Sequence, residues 1–239
     1  MATDYYHYIV VSGPRHAVED FVHRIALVAT RRVAGKVTHT TVPFSFESLY
    51  TMTRMKDEVP YEPYDMTRWP IGRRGPRAAE VRYRFHTRNL EMHSLVERLS
   101  GVTPRLRFAL VTQWLDTGDF AAFTLEKGRT RGNWFDEDWR EPFWEKAAQK
   151  YEMPVDDAYD DSAAEYFAES LMLEEAVKIA TGSSRRYEWG GGRVYRELEN
   201  ERATAIHDIA MAMKEMEEEA DEQEDKKPKR RITRKRKQR

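Results

Sequence analysis

Alternation of apolar and polar residues in the first half of the chain predicts the strands of a sheet that buries one face. In EVRYRFHTR, the residues Val81, Tyr83 and Phe85 alternate with arginines and a histidine, which is the two-residue period of a half-buried strand. YYHYIVV, RLRFALVTQWLD and FAAFTLEKG are rich in β-branched and aromatic residues and predict three more strands. THTTVPFSFESLY predicts a further extended run, and its proline limits that run to a sheet edge or a bulge.

Two segments place apolar residues at helical spacing instead. PRHAVEDFVHRIALVATRR has apolar residues at positions 18, 21, 22, 25, 28 and 29, so we expect a helix across this segment with Pro14 in its first turn. EMHSLVERLSG predicts a short helix that buries Met92, Leu95, Val96 and Leu99. Between the two, residues 52–78 contain four prolines and two glycines, which predicts a long irregular insertion.

The predicted order of elements is β-α-β, an insertion, β-α-β and one extra strand. This order predicts an α+β fold of the ferredoxin-like, split βαβ type, with two helices on one face of an antiparallel sheet. We expect this domain to occupy residues 1–135. An acidic helical module at 136–225 and a disordered basic tail at 226–239 are expected to follow.

Three stretches of the first 135 residues carry a resemblance to a known family: YIVVSG before a helix, FSFESLYTM, and FHTRNLEMHSLVERLSGVTPRLRFALVTQWLDTGDFAAFTLEKG. They are similar to the YubB-type ferredoxin-like domain, which occurs in plasmid, prophage and bacterial proteins of largely unknown function. The resemblance implies the fold and a mobile-element setting. It implies no active site, because the shared residues are core-packing patterns. The chain also has HTRNLEM where relatives usually carry T-x-W-x-P-P before the second helix.

Charge is divided unevenly along the chain, although the net charge is only −1. Residues 1–135 carry 20 Lys and Arg against 14 Asp and Glu, residues 136–225 carry 10 against 27, and residues 226–239 carry 10 against none. Such segregation predicts separate functional segments. Within the acidic segment, an apolar stripe could dock a protein partner; its residues are Ile206, Ile209, Met213 and Met216.

The C-terminal tail is the strongest candidate for binding a polyanion. A phosphate backbone offers such a tail many contacts and releases condensed counterions when the cations bind. Two other interpretations stay open: the tail contacts the acidic helices of its own chain, or it only raises solubility. The predicted nucleic-acid-binding residues of the tail are Lys226, Lys227, Lys229, Arg230, Arg231, Arg234, Lys235, Arg236, Lys237 and Arg239.

The arginines of the predicted sheet give a second candidate surface. If His7, Ile9 and Val11 point to the helices, the neighbouring tyrosines lie on the opposite face with arginines from adjacent strands. Arginine interleaved with tyrosine on an open sheet is typical of platforms that stack single-stranded RNA. The alternative is that a partner subunit or the C-terminal module covers this face. The predicted residues are Tyr6, Tyr8, Arg82, Arg84, Arg88, Arg105 and Arg107.

No residue pattern indicates catalysis, a metal site or a cofactor. The seven histidines are dispersed, and the absence of cysteine excludes disulfides and thiolate metal sites. The aspartates within 156–161 lack the glycine and terminal glutamate of a calcium loop. MATDYYHYIVV has none of the features of a signal peptide, and no apolar run is long enough to span a membrane. We therefore expect a cytoplasmic protein.

Together these patterns predict a non-enzymatic accessory protein of a phage or plasmid-type element that binds nucleic acid without base specificity. The alternative is an assembly component whose acidic helices dock a basic partner protein. If the acidic module also screens the basic surfaces, deletion of residues 140–225 should raise the affinity for nucleic acid.

Overall fold

Ten strands and six helices are defined among residues 4–33, 36–55, 63–189 and 193–194, which are the residues that the computed structural model describes. The helices are α1 (Arg15–Ile25), α2 (Phe46–Thr53), α3 (His93–Val102), α4 (Glu137–Tyr151), α5 (Val155–Ala158) and α6 (Ser162–Thr181). The strands are β1 (Asp4–Pro14), β2 (Leu27–Val33), β3 (Lys36–Val42), β4 (Tyr64–Arg68), β5 (Gly72–Arg73), β6 (Ala78–Arg88), β7 (Arg107–Trp114), β8 (Phe120–Glu126), β9 (Arg129–Trp134) and β10 (Arg193–Val194). The basic tail and the stripe from Ile206 to Met216 lie outside the described residues.

Eight of these strands form one antiparallel sheet, which confirms the α+β class. Its order is β10-β4-β6-β1-β7-β8-β9, and β5 pairs with β6 beside β4. The two remaining strands, β2 and β3, form a separate hairpin. Both long central strands, β1 and β6, pair over eleven residues from Asp4↔Arg88 to Pro14↔Ala78.

The first helix is shorter than predicted, because it ends at Ile25. Val18, Phe21 and Ile25 are buried as expected, but Ala26 already has an extended backbone, with φ −77° and ψ 138°. The chain then forms the hairpin β2–β3. Both of its strands are rich in valine and threonine, whose branched side chains favour strands over helices.

The prediction that the segment FESLY is extended is also wrong, because this segment belongs to α2. Ser45 caps this helix, since its side chain accepts a hydrogen bond from the Ser48 amide at 3.3 Å. Phe46, Leu49 and Tyr50 are buried. The predicted irregular insertion likewise contains part of α2 and the strands β4 and β5, which pair with β6.

Each face of the sheet carries its own core, which makes three layers. On one face α1, α2 and α3 pack against Ile9, Val11, Tyr83 and other alternate residues of the central strands. On the other face α4, α5 and α6 pack in a second core that includes residues of β1, β7 and β8. The alternation predicted for β6 and for β1 is confirmed, because His7, Ile9, Val11, Val81 and Phe85 are all buried on the first face or in its core.

Candidate nucleic-acid interface

The sheet face that carries Tyr6 and Tyr8 is covered by the C-terminal helices. Tyr8 keeps 8% of its surface exposed, and Tyr6 is partly buried against the same core. The prediction of an open stacking platform is therefore wrong for these two tyrosines, and the alternative of a covered face is confirmed. A row of four alanines and one methionine lets α6 lie close to the sheet: Ala164, Ala168, Met172, Ala176 and Ala180.

The same packing makes deletion of residues 140–225 a poor test of whether the acidic module screens the basic surfaces. Phe143 and Ala147 of α4 and most of the buried residues of α6 belong to the second core. Deletion of residues 140–225 would expose that apolar core, so the loss of stability would obscure any gain in affinity.

Arg82 holds a C-terminal segment on this face instead of presenting its charge to a ligand. Its guanidinium lies over the rings of Trp69, Tyr187 and Trp189, at 5.2, 5.8 and 5.8 Å from their centroids. Its Nη1 donates to the carbonyl oxygen of Glu188 at 2.7 Å. The predicted role of Arg82 in binding nucleic acid is therefore not supported by its position.

Glu80 fixes the same segment, residues 183–189, which we call the strap. This carboxylate is 3% exposed, and its Oε1 lies 2.9 Å from Nη1 of Arg185. Its Oε2 accepts a hydrogen bond from the hydroxyl of Tyr187 at 3.4 Å. Burial raises the pKa of Tyr187, and the nearby Glu80 charge raises it further. Burial lowers the pKa of Arg82, and Glu80 opposes that decrease.

The other predicted arginines of β6 do not join a common surface. Arg84 is half-buried, and its Nη2 lies 3.5 Å from Oγ1 of Thr67. Arg88 is exposed at the end of β6, where its Nε lies 3.3 Å from Oδ1 of Asp4. The arginines of this strand therefore occupy three different environments.

A different set of cations gathers where the register of the strands brings several loops together. Backbone pairing links the ends of six strands in one row: Arg73 to Ala79, Ala79 to Gly13, Ser12 to Arg107, Arg107 to Glu126 and Glu126 to Arg129. The end of α6 reaches the same row, because a Cβ added to Gly182 would lie 3.3 Å from Nη2 of Arg107. We call this end of the sheet, formed by residues 13–16, 72–80, 103–107, 124–131 and 182–186, the basic end.

The basic end holds eleven arginines and lysines against two glutamates, Glu80 and Glu126. Its cations are Arg15, Arg73, Arg74, Arg77, Arg105, Arg107, Lys127, Arg129, Arg131, Arg185 and Arg186. Four of them make ion pairs with carboxylates: Arg15 with Glu19, Lys127 with Glu126, Arg185 with Glu80 and Arg186 with Glu174. The other seven make no ion pair with any described residue, so this end attracts anions.

Three surface clefts open at the basic end. Two adjoin the start of α1, share Arg15, Pro76 and Ala78, and have volumes of about 850 and 440 Å³. The third has a volume of about 670 Å³ and is lined by Arg107, Thr124, Glu126, Lys127, Arg129 and Arg131. Helix α1 begins without a side-chain cap and without an acidic residue in its first turn, so the positive end of its dipole adds to the field in the first two clefts.

The hairpin that carries Lys127 and Arg129 is held by a tight turn. Lys127 and Gly128 both have positive φ, 54° and 70°, between the paired residues Glu126 and Arg129, as in a type I′ turn. The amide of Gly128 donates to Oγ of Ser100 at 2.9 Å, which anchors the turn to α3. The two cations are therefore placed by the backbone, although their side chains are exposed.

Sequence reasoning found Arg105 and Arg107 of the basic end and missed the other nine cations. The stretches GRRGPR and EKGRTR show the signal, since each is basic and contains a turn residue. Nothing in either stretch indicates that the two share one end of a sheet. That information lies in the register of β5, β6, β8 and β9.

An ionisable group with a strongly lowered pKa, His7, lies in the core, away from this surface. The His7 side chain is fully buried. Its Nε2 lies 2.9 Å from Oγ1 of Thr87, and its Nδ1 lies 3.0 Å from Oγ1 of Thr112. The Thr87 hydroxyl donates to the Leu90 carbonyl oxygen at 2.6 Å, so its lone pairs accept from Nε2–H while Thr112 donates to Nδ1. Burial lowers the pKa of His7 to about 3, and the charge of His86 contributes to the decrease.

In the part of the chain that the structure describes, no group of three or more His, Asp or Glu side chains could hold a metal ion. No helix in that part is both long and apolar enough to cross a membrane. No protein-family model matches the chain, and neither a curated protein nor a solved structure matches it. We therefore infer the function from the geometry and charge of the chain itself.

Proposed function

We propose that this chain binds the phosphate backbone of nucleic acid without catalysing a reaction, and that the basic end is its principal binding surface. The observation that carries the proposal is the concentration of eleven cations against two glutamates at one end of the sheet. Residues 226–239 add ten further cations and no acid. The arginines of β6 have no part in this proposal.

Phosphate contacts of this kind give affinity without reading bases, because they carry no sequence information. They also make binding strongly dependent on salt. If about six cations engage phosphates of a duplex, the slope of log affinity against log salt is about −5. A protein with a single adventitious contact would show a slope near −1, by the same relation.

A fluorescence-anisotropy titration of the full chain with labelled oligonucleotides, at low and at physiological salt, tests the proposal. The informative variant is Arg77→Gln/Arg105→Gln/Arg129→Gln, which removes one cation from each of three segments of the basic end. Arg24→Gln/Arg88→Gln/Lys146→Gln is the matched control, because it removes three exposed cations outside the basic end. We expect the first variant to bind at least about tenfold more weakly, and its salt slope to be smaller in magnitude by about three.

The control variant should stay within about twofold of the unmodified chain, because its three cations make few phosphate contacts in this arrangement. Absence of binding to every oligonucleotide at low salt would refute the proposal. Equal losses in the two variants would place binding outside the basic end.

A second function is favoured by the opposite charge on α4, α5 and the start of α6. Residues 136–165 contain eleven aspartates and glutamates against three arginines and lysines, and ten of the eleven acidic residues are exposed. This surface suits a basic partner protein in an assembly. Binding of a defined lysine-rich peptide that survives at physiological salt, without binding of nucleic acid, would favour this function.

We also propose that the sheet contains a ferredoxin-like core. The order β4-β6-β1-β7, with α1 following β1 and α3 between β6 and β7, supports a ferredoxin-like split βαβ core within the larger sheet. The YubB-type family and the phage or plasmid setting remain proposals that rest on the sequence resemblance. An experimental structure with a different order for these four strands would refute the ferredoxin-like core.

A further inference from the structure

The basic end is rich in cations, and its only aromatic ring is the imidazole of His16. Its five segments, GPRH, GRRGPRAAE, TPRLR, TLEKGRTR and GSSRR, include no phenylalanine, tyrosine or tryptophan. Proteins that hold single-stranded nucleic acid combine a basic groove with aromatic side chains on which the unpaired bases stack. Each stacked base contributes about 1–3 kcal/mol, and this surface has no phenylalanine, tyrosine or tryptophan ring to supply that energy.

The exposed aromatic rings lie elsewhere on the described part of the chain. They are Trp134, Tyr151, Tyr159 and Tyr166, with exposed fractions of 44%, 37%, 46% and 77%. Trp134 pairs with Ala121, whereas the basic end lies at the other end of β8, at Glu126. Tyr166 lies in the second turn of α6. The last turn of α6 contacts the basic end, where Oγ1 of Thr124 donates a hydrogen bond to the carbonyl oxygen of Ala180. Trp134 and Tyr166 therefore lie at the other ends of β8 and α6 from the basic end.

The tyrosine face of the sheet, where we predicted a stacking platform, does not offer free rings either. Tyr8 is buried, and the ring of Trp189 lies 5.1 Å from it, centroid to centroid. Trp69 and Tyr187 surround Arg82. These rings already pack against protein groups, so a base could stack on them only by displacing the strap.

The cations instead follow a row set by rigid strand ends. The row crosses β5, β6, β1, β7, β8 and β9, and five intervals of about 4.8 Å give a width of about 24 Å. Along B-form DNA that distance covers about seven base pairs, at about 3.4 Å per pair. A duplex also presents one negative charge per about 1.7 Å of its axis. A fixed row of arginines can contact these charges without the entropy cost of ordering a flexible single strand.

We propose that the basic end binds double-stranded nucleic acid through its backbone, over about seven base pairs, in preference to single strands. This inference rests on the proposed function and names the ligand class of the same surface. The shared chemistry is the phosphate array of a duplex, which both DNA and RNA supply.

The experiment compares, at one salt concentration, a labelled DNA duplex, an RNA duplex and the separate strands of each, all of the same length. The full chain is used, with the two triple variants already described. We expect the duplexes to bind at least about fivefold more tightly than their strands, because duplexes have the higher charge density and the basic end has no phenylalanine, tyrosine or tryptophan ring for unpaired bases. The ratio of duplex to single-strand affinity should fall severalfold in Arg77→Gln/Arg105→Gln/Arg129→Gln and stay unchanged in the control variant.

The tail is present in every sample, so it cannot produce a difference between the two variants. Shortening the duplex provides a second measurement, and affinity should fall sharply below about seven base pairs. Single strands that bind as tightly as duplexes, with the triple variant weakened for both, would overturn the duplex inference and leave the proposed function standing. Equal binding by the triple variant and the unmodified chain would overturn both.

Discussion

The histidine at position 7 shows how a polar residue can be part of an apolar core. Two threonine hydroxyls and the Leu90 carbonyl oxygen lie within hydrogen-bond distance of the neutral imidazole, and these partners come from β6, β7 and the loop after β6. The arrangement leaves no solvent to stabilise a charge, which is why burial lowers the pKa of His7 to about 3.

This shift predicts an acid-sensitive fold. The unfolded chain takes up a proton on His7 below its ordinary pKa of about 6.5, whereas the folded chain does so only near pH 3. The free energy of unfolding should therefore decrease as the pH falls from 6.5 towards 3, and this contribution should be constant above 6.5. Urea unfolding of the wild-type chain and of His7→Gln, at neutral and at mildly acidic pH, measures the effect.

His23→Gln serves as the control, because His23 is an exposed histidine on α1. The His7→Gln chain should lose less stability on acidification than the wild type or the control. Parallel pH dependence in all three proteins would contradict a role for His7.

Arg82 is the second residue whose environment gives a prediction. Replacement by methionine keeps an unbranched side chain but removes the guanidinium, its hydrogen bond to Glu188 and its contacts with three rings. We expect Arg82→Met to lower the free energy of unfolding by about 2 kcal/mol. Trypsin should also cut faster after Arg185 and Arg186 in the strap. Arg88→Met, which removes only an exposed ion pair, should change stability by less than about 1 kcal/mol; equal sensitivity of the two variants would count against the strap contacts.

At the scale of elements, the strands with strict alternation were predictable and the segments with mixed signals were not. β6 and α3 match their sequence patterns because each places its large apolar residues on one face, with Val81, Tyr83 and Phe85 in one and Leu95 and Leu99 in the other. The segment after Ile25 satisfies helical spacing by coincidence, while its valines and threonines favour a strand, and pairing with β3 decides the outcome.

The basic end could not be predicted at this scale, since it exists only through pairing between distant segments. Arg73 and Arg129 are 56 residues apart and share an end because β5, β6, β1, β7, β8 and β9 are neighbours in one sheet. Coverage of the tyrosine face was also a matter of topology, because α6 returns across β7 and β8. Local sequence carries no record of either fact.

The edge strand β9 depends on one glycine for its close approach to β8. Gly132 has φ +151°, and a Cβ at this position would lie 2.1 Å from the Ala122 carbonyl oxygen and 2.7 Å from Cα of Phe123. Gly132→Ala should therefore push β9 away from β8 and reduce the free energy of unfolding by about 3 kcal/mol. Chemical denaturation measures this loss, and Gly75→Ala is the matched control, because nothing lies within 4 Å of the added atom. If both variants were equally stable, the close approach at Gly132 would be incorrect.

At the scale of the whole molecule, the described part of the chain carries its charge in opposed regions. The basic end has eleven cations, and residues 136–165 have eleven carboxylates. A near-zero net charge of −1 therefore hides strong local fields. The two regions have opposite charge, so the basic end of one copy can attract the acidic region of another.

This polarity predicts association that depends on salt. At about 0.01 M salt, where charges act over about 30 Å, we expect the protein to sediment as concentration-dependent oligomers. At about 1 M salt, where the range falls to about 3 Å, it should sediment as a smaller species. Arg77→Gln/Arg105→Gln/Arg129→Gln should associate less at low salt. A sedimentation coefficient that is the same at both salt concentrations would exclude this contact.

The position of β9 at one side of the sheet has a consequence for handling the protein. No described strand pairs with its outer side, and an unpaired strand of this kind is a template for aggregation. Arg129 and Arg131 lie along it and are exposed, so two copies brought side by side would place four guanidinium groups together. We expect Arg129→Val/Arg131→Val to precipitate during concentration or storage under conditions in which the unmodified chain stays clear, as light scattering would record. The two arginines that we propose as phosphate contacts would then also be the ones that prevent copies of the chain from aggregating along β9.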